Sequence, residues 1–163
     1  EIRDLIKTEP PLIHEYMDLN SQVQVHGFDL TLKEISRFCS MGGIGRAPDD
    51  TVLPKTEVIP FDDSGNVTIS AGCYRITFNE IVNLPLSLMA LGRPRSTLLR
   101  SGVAIHTAVW DAGYQGRSQA LMVVSNPYGY RICKNVRLMQ LIFLRLTKQL
   151  DQGYRGRYQN EAG

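Results

Sequence analysis

Turn signals interrupt this chain so often that the segments between them are short. Pro10-Pro11, Gly42-Gly43, Asp62-Asp63-Ser64-Gly65-Asn66, Leu84-Pro85, Ala112-Gly113 and Asn126-Pro127-Tyr128-Gly129 punctuate it, and such residues favour turns. The stretches between them read as strands, at residues 22–26, 52–60, 67–71, 74–78, 103–110, 120–124, 130–133 and 136–146. Helical spacing is confined to Ile2, Leu5 and Ile6 ahead of the prolines, and to a short segment over residues 97–100. The pattern predicts an all-β sandwich or jelly roll with one or two short helices. There is no internal repeat and no domain boundary, so residues 1–163 form one domain whose ends are its most mobile parts.

Length and charge narrow the function classes. A domain of 163 residues buries about 70% of its unfolded-chain surface, enough for an ordinary core. With 18 basic and 16 acidic side chains the net charge is +2, short of the clustered excess of a nucleic-acid binder. No apolar run approaches membrane-spanning length and no charged-then-apolar leader opens the chain, so neither nucleic acid nor membrane is expected as a partner. Cys39, Cys73 and Cys133 are odd in number and form no C-x-x-C pair, which argues against structural zinc and for a reducing, cytoplasmic setting.

Residues 92–116 concentrate the chemistry. Arg93, Arg95 and Arg100 bracket Ser96 and Thr97. Ser96 suits the N-cap of a short helix, whose first N–H groups favour phosphate, and arginine adds bidentate charge-assisted bonds. The alternating run 103–110 leads to Asp111, which reads either as a turn cap or as a general base holding water. Tyr114, between Gly113 and Gly116, either stacks on a flat ligand or packs into the fold. Together these features suggest a nucleoside triphosphate site.

Elsewhere, Gln140 is the one polar side chain on the face formed by Val136, Leu138, Ile142, Leu144 and Leu146. It must bond to backbone, a neighbour or a ligand. Asp29, between bulky apolar neighbours, reads as a turn or cap residue. The glycines of residues 41–48 do not make a phosphate loop, because no Gly-Lys-Ser/Thr follows. The H-x-E and P-C-x-x-C signature of zinc-dependent nucleobase deaminases is absent, as is a G-x-S-x-G nucleophile elbow. His14, His26 and His106 lack metal-cluster spacing.

Five segments in order resemble the motifs of the dUTPase and dCTP deaminase superfamily, and most closely its archaeal-type dUTPases. They are Gly27-Phe28-Asp29-Leu30, then Pro94-Arg95-Ser96-Thr97-Leu98 with Arg100, then Val109-Trp110-Asp111-Ala112-Gly113-Tyr114-Gln115-Gly116, then Arg137-Leu138-Met139-Gln140-Leu141, and last Tyr154-Arg155-Gly156-Arg157-Tyr158-Gln159. The resemblance implies a distorted jelly-roll or β-barrel subunit of the β-clip type, and a homotrimer with active sites at subunit interfaces. It implies hydrolysis of dUTP to dUMP and diphosphate, with Mg2+ on the triphosphate. Asp111 would orient or deprotonate the attacking water. Tyr114 would pack on the deoxyribose. Arg95, Ser96, Thr97, Arg100 and Gln140 would hold phosphates, while Tyr154, Arg157 and Gln159 close from a mobile tail over residues 150–163. Asp29 would support the metal indirectly, or the site architecture.

Deamination of dCTP is the near alternative, since deaminases of the superfamily use a glutamate on the strand after the third motif. Residues 117–124, RSQALMVV, carry no Asp or Glu, and Gln119 is a neutral amide. A nucleotide sensor without turnover is a further alternative. The tail also departs from the Gly-Phe-Gly-Ser loop of many dUTPases, Glu161 stands where glutamine is frequent, and His26 precedes the first motif.

Overall fold

The structure is a computed structural model and describes residues 1–161. The last two residues of the expected tail, 162 and 163, lie outside the described residues. Twelve strands and three short helices follow in order among the described residues. They are α1 (Ile2–Leu5), β1 (Ile13–His14), α2 (Leu19–Gln22), β2 (Phe28–Phe38), β3 (Thr56–Val58), β4 (Asn66–Ile69), β5 (Gly72–Phe78), β6 (Ile81–Asn83), β7 (Leu88–Pro94), α3 (Ser96–Arg100), β8 (Val103–His106), β9 (Gln115–Gly116), β10 (Gln119–Val124), β11 (Tyr130–Cys133) and β12 (Arg137–Arg145). The all-β expectation holds, with three helices rather than one or two.

The main sheet runs β7-β12-β2-β5-β10-β8, with β3 added to the second half of β2. Its two ends meet. Ala90 of β7 and Trp110 exchange backbone hydrogen bonds of 2.9 and 3.0 Å, so the sheet nearly closes on itself and protects its edges. A small sheet β1-β6-β9 and a hairpin-like pair β11-β4 cover the openings. Phe28, Leu30, Leu32, Ile76, Phe78, Met122, Met139 and Leu141 are fully buried inside.

Two irregularities shape this core. The β2–β5 register shifts between Leu32 and Glu34, so the inward series Phe28, Leu30, Leu32 resumes at Ile35. The β12–β2 register shifts between Arg137 and Met139, and both Leu138 and Met139 are buried. Bulges of this kind bend strands, as closure of a barrel requires.

Several expectations are corrected. Residues 22–26 are not a strand. The Asp18 side chain accepts from Asn20 N and Ser21 N, so it caps α2 and competes successfully with strand pairing. The strand expected over 52–60 shortens to β3, because Cys39 and Lys55 lead into an outlying loop. The run 103–110 ends as a strand at His106, and Trp110 makes an isolated bridge instead. Ser96 is the first residue of α3, not its cap. Arg95 holds the cap position and makes no side-chain capping bond.

Asp29 is no turn residue, since it lies inside β2 and is 1% exposed. Gln140 does not interrupt an apolar inner face. The shift at Leu138 turns Met139 and Leu141 inward, and Gln140 stands half-buried on the other side, opposite Asp29 of β2 and Arg93 of β7.

Candidate active site

Two groups of side chains carry the expected chemistry, and they line separate cavities. The first is built where α3 leaves β7 and passes beside β12. Asp29 draws in two guanidinium groups through one oxygen. Arg95 Nη1 pairs closely with Asp29 Oδ2, and Arg137 Nη1 lies 3.4 Å from the same atom. The other oxygen, Oδ1, is buried and has no hydrogen-bond partner among the described residues. Burial pushes the Asp29 carboxyl above its ordinary value, and the two arginines pull against that shift.

Beside the pair lies a cavity of about 440 Å³ lined by Arg95, Thr97, Arg131 and Arg137 among others. Three guanidinium groups on one concave wall suit a polyanion. Ser96, Thr97 and Arg100 are exposed on α3 next to it. The helix is a single turn of five residues, so its dipole adds little and the arginines carry the charge.

The second group surrounds Tyr114. Asp111 O accepts from Tyr114 N at 3.1 Å, closing a turn. Gly113 within it has φ +83°, a conformation that favours glycine. A Cβ there would stand 2.7 Å from Gly153 Cα and 3.1 Å from Tyr154 N, so glycine also lets the tail approach. The Asp111 carboxylate is exposed and makes no hydrogen bond or ion pair among the described residues. Tyr114 is buried and packs edge-on against Tyr154, with ring centroids 5.9 Å apart.

Its hydroxyl belongs to a relay. Trp110 Nε1 donates to Ser118 Oγ at 2.6 Å, and Tyr114 Oη donates to Glu161 Oε1 at 3.0 Å. The phenol has one proton, so Ser118 Oγ donates to Tyr114 Oη across 3.1 Å. Burial pushes both the Tyr114 phenol and the Glu161 carboxyl up. The cavity here is about 250 Å³, lined by Asp111, Tyr114, Gln119, Tyr154, Tyr158 and Glu161 among others.

The tail docks along this turn. Tyr154 N donates to Ala112 O at 2.8 Å, Asn160 N to Gln115 O at 2.7 Å, and Arg117 N to Glu161 O at 2.9 Å. Gln159 bridges Gly113 O and Gln115 N, at 3.0 and 3.1 Å. Its amide therefore serves the backbone of the turn, while Arg157 is exposed.

The structure thus gathers Asp111, Tyr114, Tyr154 and Gln159 in one place, and Asp29, Arg95 and Thr97 in another. Gln140 sits on the strand next to Asp29. No residue lines both cavities. Residues 119–124 form β10, and the side chain facing the Tyr114 cavity from it is Gln119. Sequence reasoning left Arg137, Ser118 and Glu80 without roles. Arg137 stands at the head of the fourth motif, and that position was its signal. Glu80 is a carboxylate between Phe78 and Ile81, an apolar setting that marks it as buried. Ser118 offered no signal.

Among the described residues no three His, Cys, Asp or Glu side chains gather as a metal cluster. The nearby acidic groups are Asp29, the exposed Asp111, and Glu161, whose carboxyl is taken up by Tyr114. That set fits a cation held mainly by phosphate oxygens and water, as Mg2+ prefers, and not a metal caged by the protein. No helix among the described residues is long and apolar enough to cross a membrane.

The chain is similar to known proteins over most of its length. The family model described as dCTP deaminase-like matches residues 1–146. A relative from Methanosarcina mazei, described as "Probable deoxyuridine 5'-triphosphate nucleotidohydrolase", is 44% identical over 161 residues, covering 99% of this chain and 94% of the relative. One from Archaeoglobus fulgidus with the same description is also 44% identical, with the same coverage. Among solved structures, the 2'-deoxycytidine 5'-triphosphate deaminase from Agrobacterium tumefaciens superposes with a TM-score of 0.65 at 21% identity, over 89% of this chain and 46% of that one. This chain therefore spans about half the length of that deaminase. A point mutant of the Staphylococcus bacteriophage 80alpha dUTPase with dUpNHpp gives a TM-score of 0.50 at 14% identity, over 86% and 93% of the two chains. At these identities the superpositions speak for the fold, whereas the model match and the archaeal relatives show that the chain belongs to the dCTP deaminase-like family.

Proposed function

We propose that the protein is a dUTP diphosphatase, hydrolysing dUTP to dUMP and diphosphate. The observation that carries the reaction type is the contrast between two positions. Asp111 offers an exposed, unpaired carboxylate beside the Tyr114 cavity, whereas the neighbouring strand β10 offers an amide, Gln119, and no acid. Water attack at phosphorus needs one base and charge neutralisation. Attack at a cytosine ring needs a carboxylate to shuttle protons, and Gln119 cannot do this. The archaeal relatives described as deoxyuridine triphosphate nucleotidohydrolases support the same substrate.

In this reading Asp111 takes a proton from water or orients it toward the α-phosphorus, and diphosphate leaves in line. Tyr114 packs on the deoxyribose. Arg95, Ser96, Thr97, Arg100 and Gln140 hold the phosphates, and the exposed Arg157 closes over them from the tail, which Tyr154 and Gln159 hold against the Tyr114 turn. Mg2+ bound on the phosphates would neutralise charge on the leaving diphosphate, and Asp29, buried behind Arg95 and Arg137, would support it only indirectly, through those two side chains.

The two cavities lie apart in one chain, which supports a homotrimer in which neighbouring subunits contribute the two groups to each interfacial site. An outward face of the main sheet with half-exposed Leu121, Phe38 and Arg75 gives a surface for such association. Three free, exposed cysteines fit a reducing, cytoplasmic setting.

The test is a product assay with dUTP and dCTP side by side in Mg2+. Diphosphate and dUMP are expected from dUTP, and no deaminated product from dCTP. Uracil nucleotides formed from dCTP would favour deamination, and tight dUTP binding without turnover would favour a sensor.

A further inference from the structure

Among the described residues, strand β2 has no neighbouring strand on one edge at the point where it carries Asp29. Its pairing with β5 begins at Leu32. At Asp29 and Thr31 that edge is completed by two side chains and one backbone amide from outside the sheet. Gln22 Nε2, from α2, donates to Asp29 O at 2.8 Å. Thr31 N donates to Glu80 Oε2 at 2.9 Å, and Asn79 N donates to Thr31 O at 3.0 Å.

Glu80 joins these contacts. It lies between β5 and β6 and is 0% exposed. Its Oε1 accepts from Gln22 Nε2 at 2.6 Å and from Thr31 Oγ1 at 2.6 Å. Thr31 Oγ1 itself accepts from Asn79 Nδ2 at 2.9 Å, so its single proton is directed at Glu80. Gln22 is fixed in turn, since its Oε1 accepts from Asp18 N at 2.8 Å. Gln22 Nε2, Thr31 Oγ1 and Thr31 N all donate to Glu80, which therefore acts as an acceptor on both oxygens. An amide in its place would turn an N–H toward another N–H or O–H.

On the opposite edge of this stretch of β2 lies β12. Thr31 is the register partner of Arg137 and Asp29 that of Gln140. A displacement of β2 here would move Asp29 and, with it, the two guanidinium groups paired to its Oδ2.

We propose that Glu80 is a positioning residue for the phosphate-binding arginines: it acts with Gln22 as a substitute strand that sets the place of Asp29, and through Asp29 the places of Arg95 and Arg137. The inference rests on the reading of Arg95 as a phosphate ligand. Glu80 touches no substrate, and its effect is on the binding of the triphosphate's anionic end.

The experiment compares Glu80→Gln, Gln22→Met and Arg95→Ala with the unaltered full chain in Mg2+. It reads KM and kcat for dUTP, the inhibition constant of diphosphate, and folding by circular dichroism. Arg95→Ala is expected to raise KM and the diphosphate constant. Glu80→Gln and Gln22→Met are expected to raise both as well, by roughly 10- to 100-fold for ligand displacements of this kind, with a smaller change in kcat. Gln22→Met keeps the packing volume and leaves Glu80 its two Thr31 donors, so it folds where Glu80→Gln does not. Unchanged KM and diphosphate inhibition in folded Glu80→Gln or Gln22→Met, alongside a raised KM in Arg95→Ala, would overturn the inference and leave the phosphate-site reading standing. An unchanged KM in Arg95→Ala would overturn both. Loss of the fold in both the Glu80 and Gln22 variants would make Glu80 a residue of stability alone and would likewise overturn the inference.

Discussion

Asp29 meets Arg95 through Oδ2 and keeps Oδ1 buried without a partner among the described residues. A carboxylate 1% exposed between two guanidinium groups holds both of them toward the neighbouring cavity. It is therefore central both to the stability of this region and to its charge.

Replacing Asp29 by asparagine should show both effects. Breaking a fully buried ion pair costs about 3–5 kcal/mol. Here the Arg95 and Arg137 side chains are 34% and 36% exposed, so water recovers part of that cost and about 1–3 kcal/mol is expected. A urea melt would measure it. The same variant should bind dUTP more weakly, because the released arginines lose their common anchor. An unchanged urea midpoint would contradict the pairing.

Asp111→Asn should separate binding from chemistry. The position is exposed and unpaired, so the fold is expected to keep its stability. The rate of diphosphate release should fall by roughly 10²–10⁴, the span of a general base, while dUTP affinity measured by calorimetry stays near that of the unaltered chain. An unchanged rate would place the base at another residue.

Docking of the tail should depend on pH through Glu161. Burial raises its carboxyl above the ordinary 4.5, and the Tyr114 hydroxyl opposes the shift. A carboxyl raised in the docked state favours docking when protonated. That contribution is full below 4.5 and is lost as pH rises through the raised value. The Tyr114 phenol, itself pushed up, stays neutral throughout. Hydrogen exchange at the amides of Arg117 and Asn160, corrected for intrinsic rates, should show more protection near pH 5 than at pH 8. Glu161→Gln should remove the difference, and a difference that persists would assign it to another group.

Much of the fold is legible in local residue patterns. The strands at 74–78, 120–124 and 130–133 emerge almost at their observed bounds, because alternation and flanking turn residues act over a few positions. The turn at 62–66 is equally local, since Asp62 Oδ1 accepts from Ser64 N and Asn66 N at 2.9 and 2.8 Å. Where sequence reasoning failed, distant groups intervened. Residues 22–26 alternate like a strand, yet the Asp18 cap and the burial of Gln22 against Glu80 make the preceding turn helical. The face expected around Gln140 reversed because a bulge shifts the side-chain period by one.

The candidate site divides in the same way. Asp111, Tyr114 and the arginines of residues 93–100 are evident as chemistry in sequence, since charge, hydroxyl and glycine spacing are properties of neighbours along the chain. What the sequence by itself determined is the strand-rich class, the motif order and the acid missing from residues 117–124. Only the tertiary structure decided that Asp29 lies buried inside a strand with Arg95 and Arg137, that Gln159 and Glu161 clasp the Tyr114 turn, and that the two groups line separate cavities. The reason is physical. Pairing between residues 66 and 108 positions apart depends on which strands become neighbours, and burial turns a carboxylate that would be an ordinary solvated charge into one whose position its partners must hold.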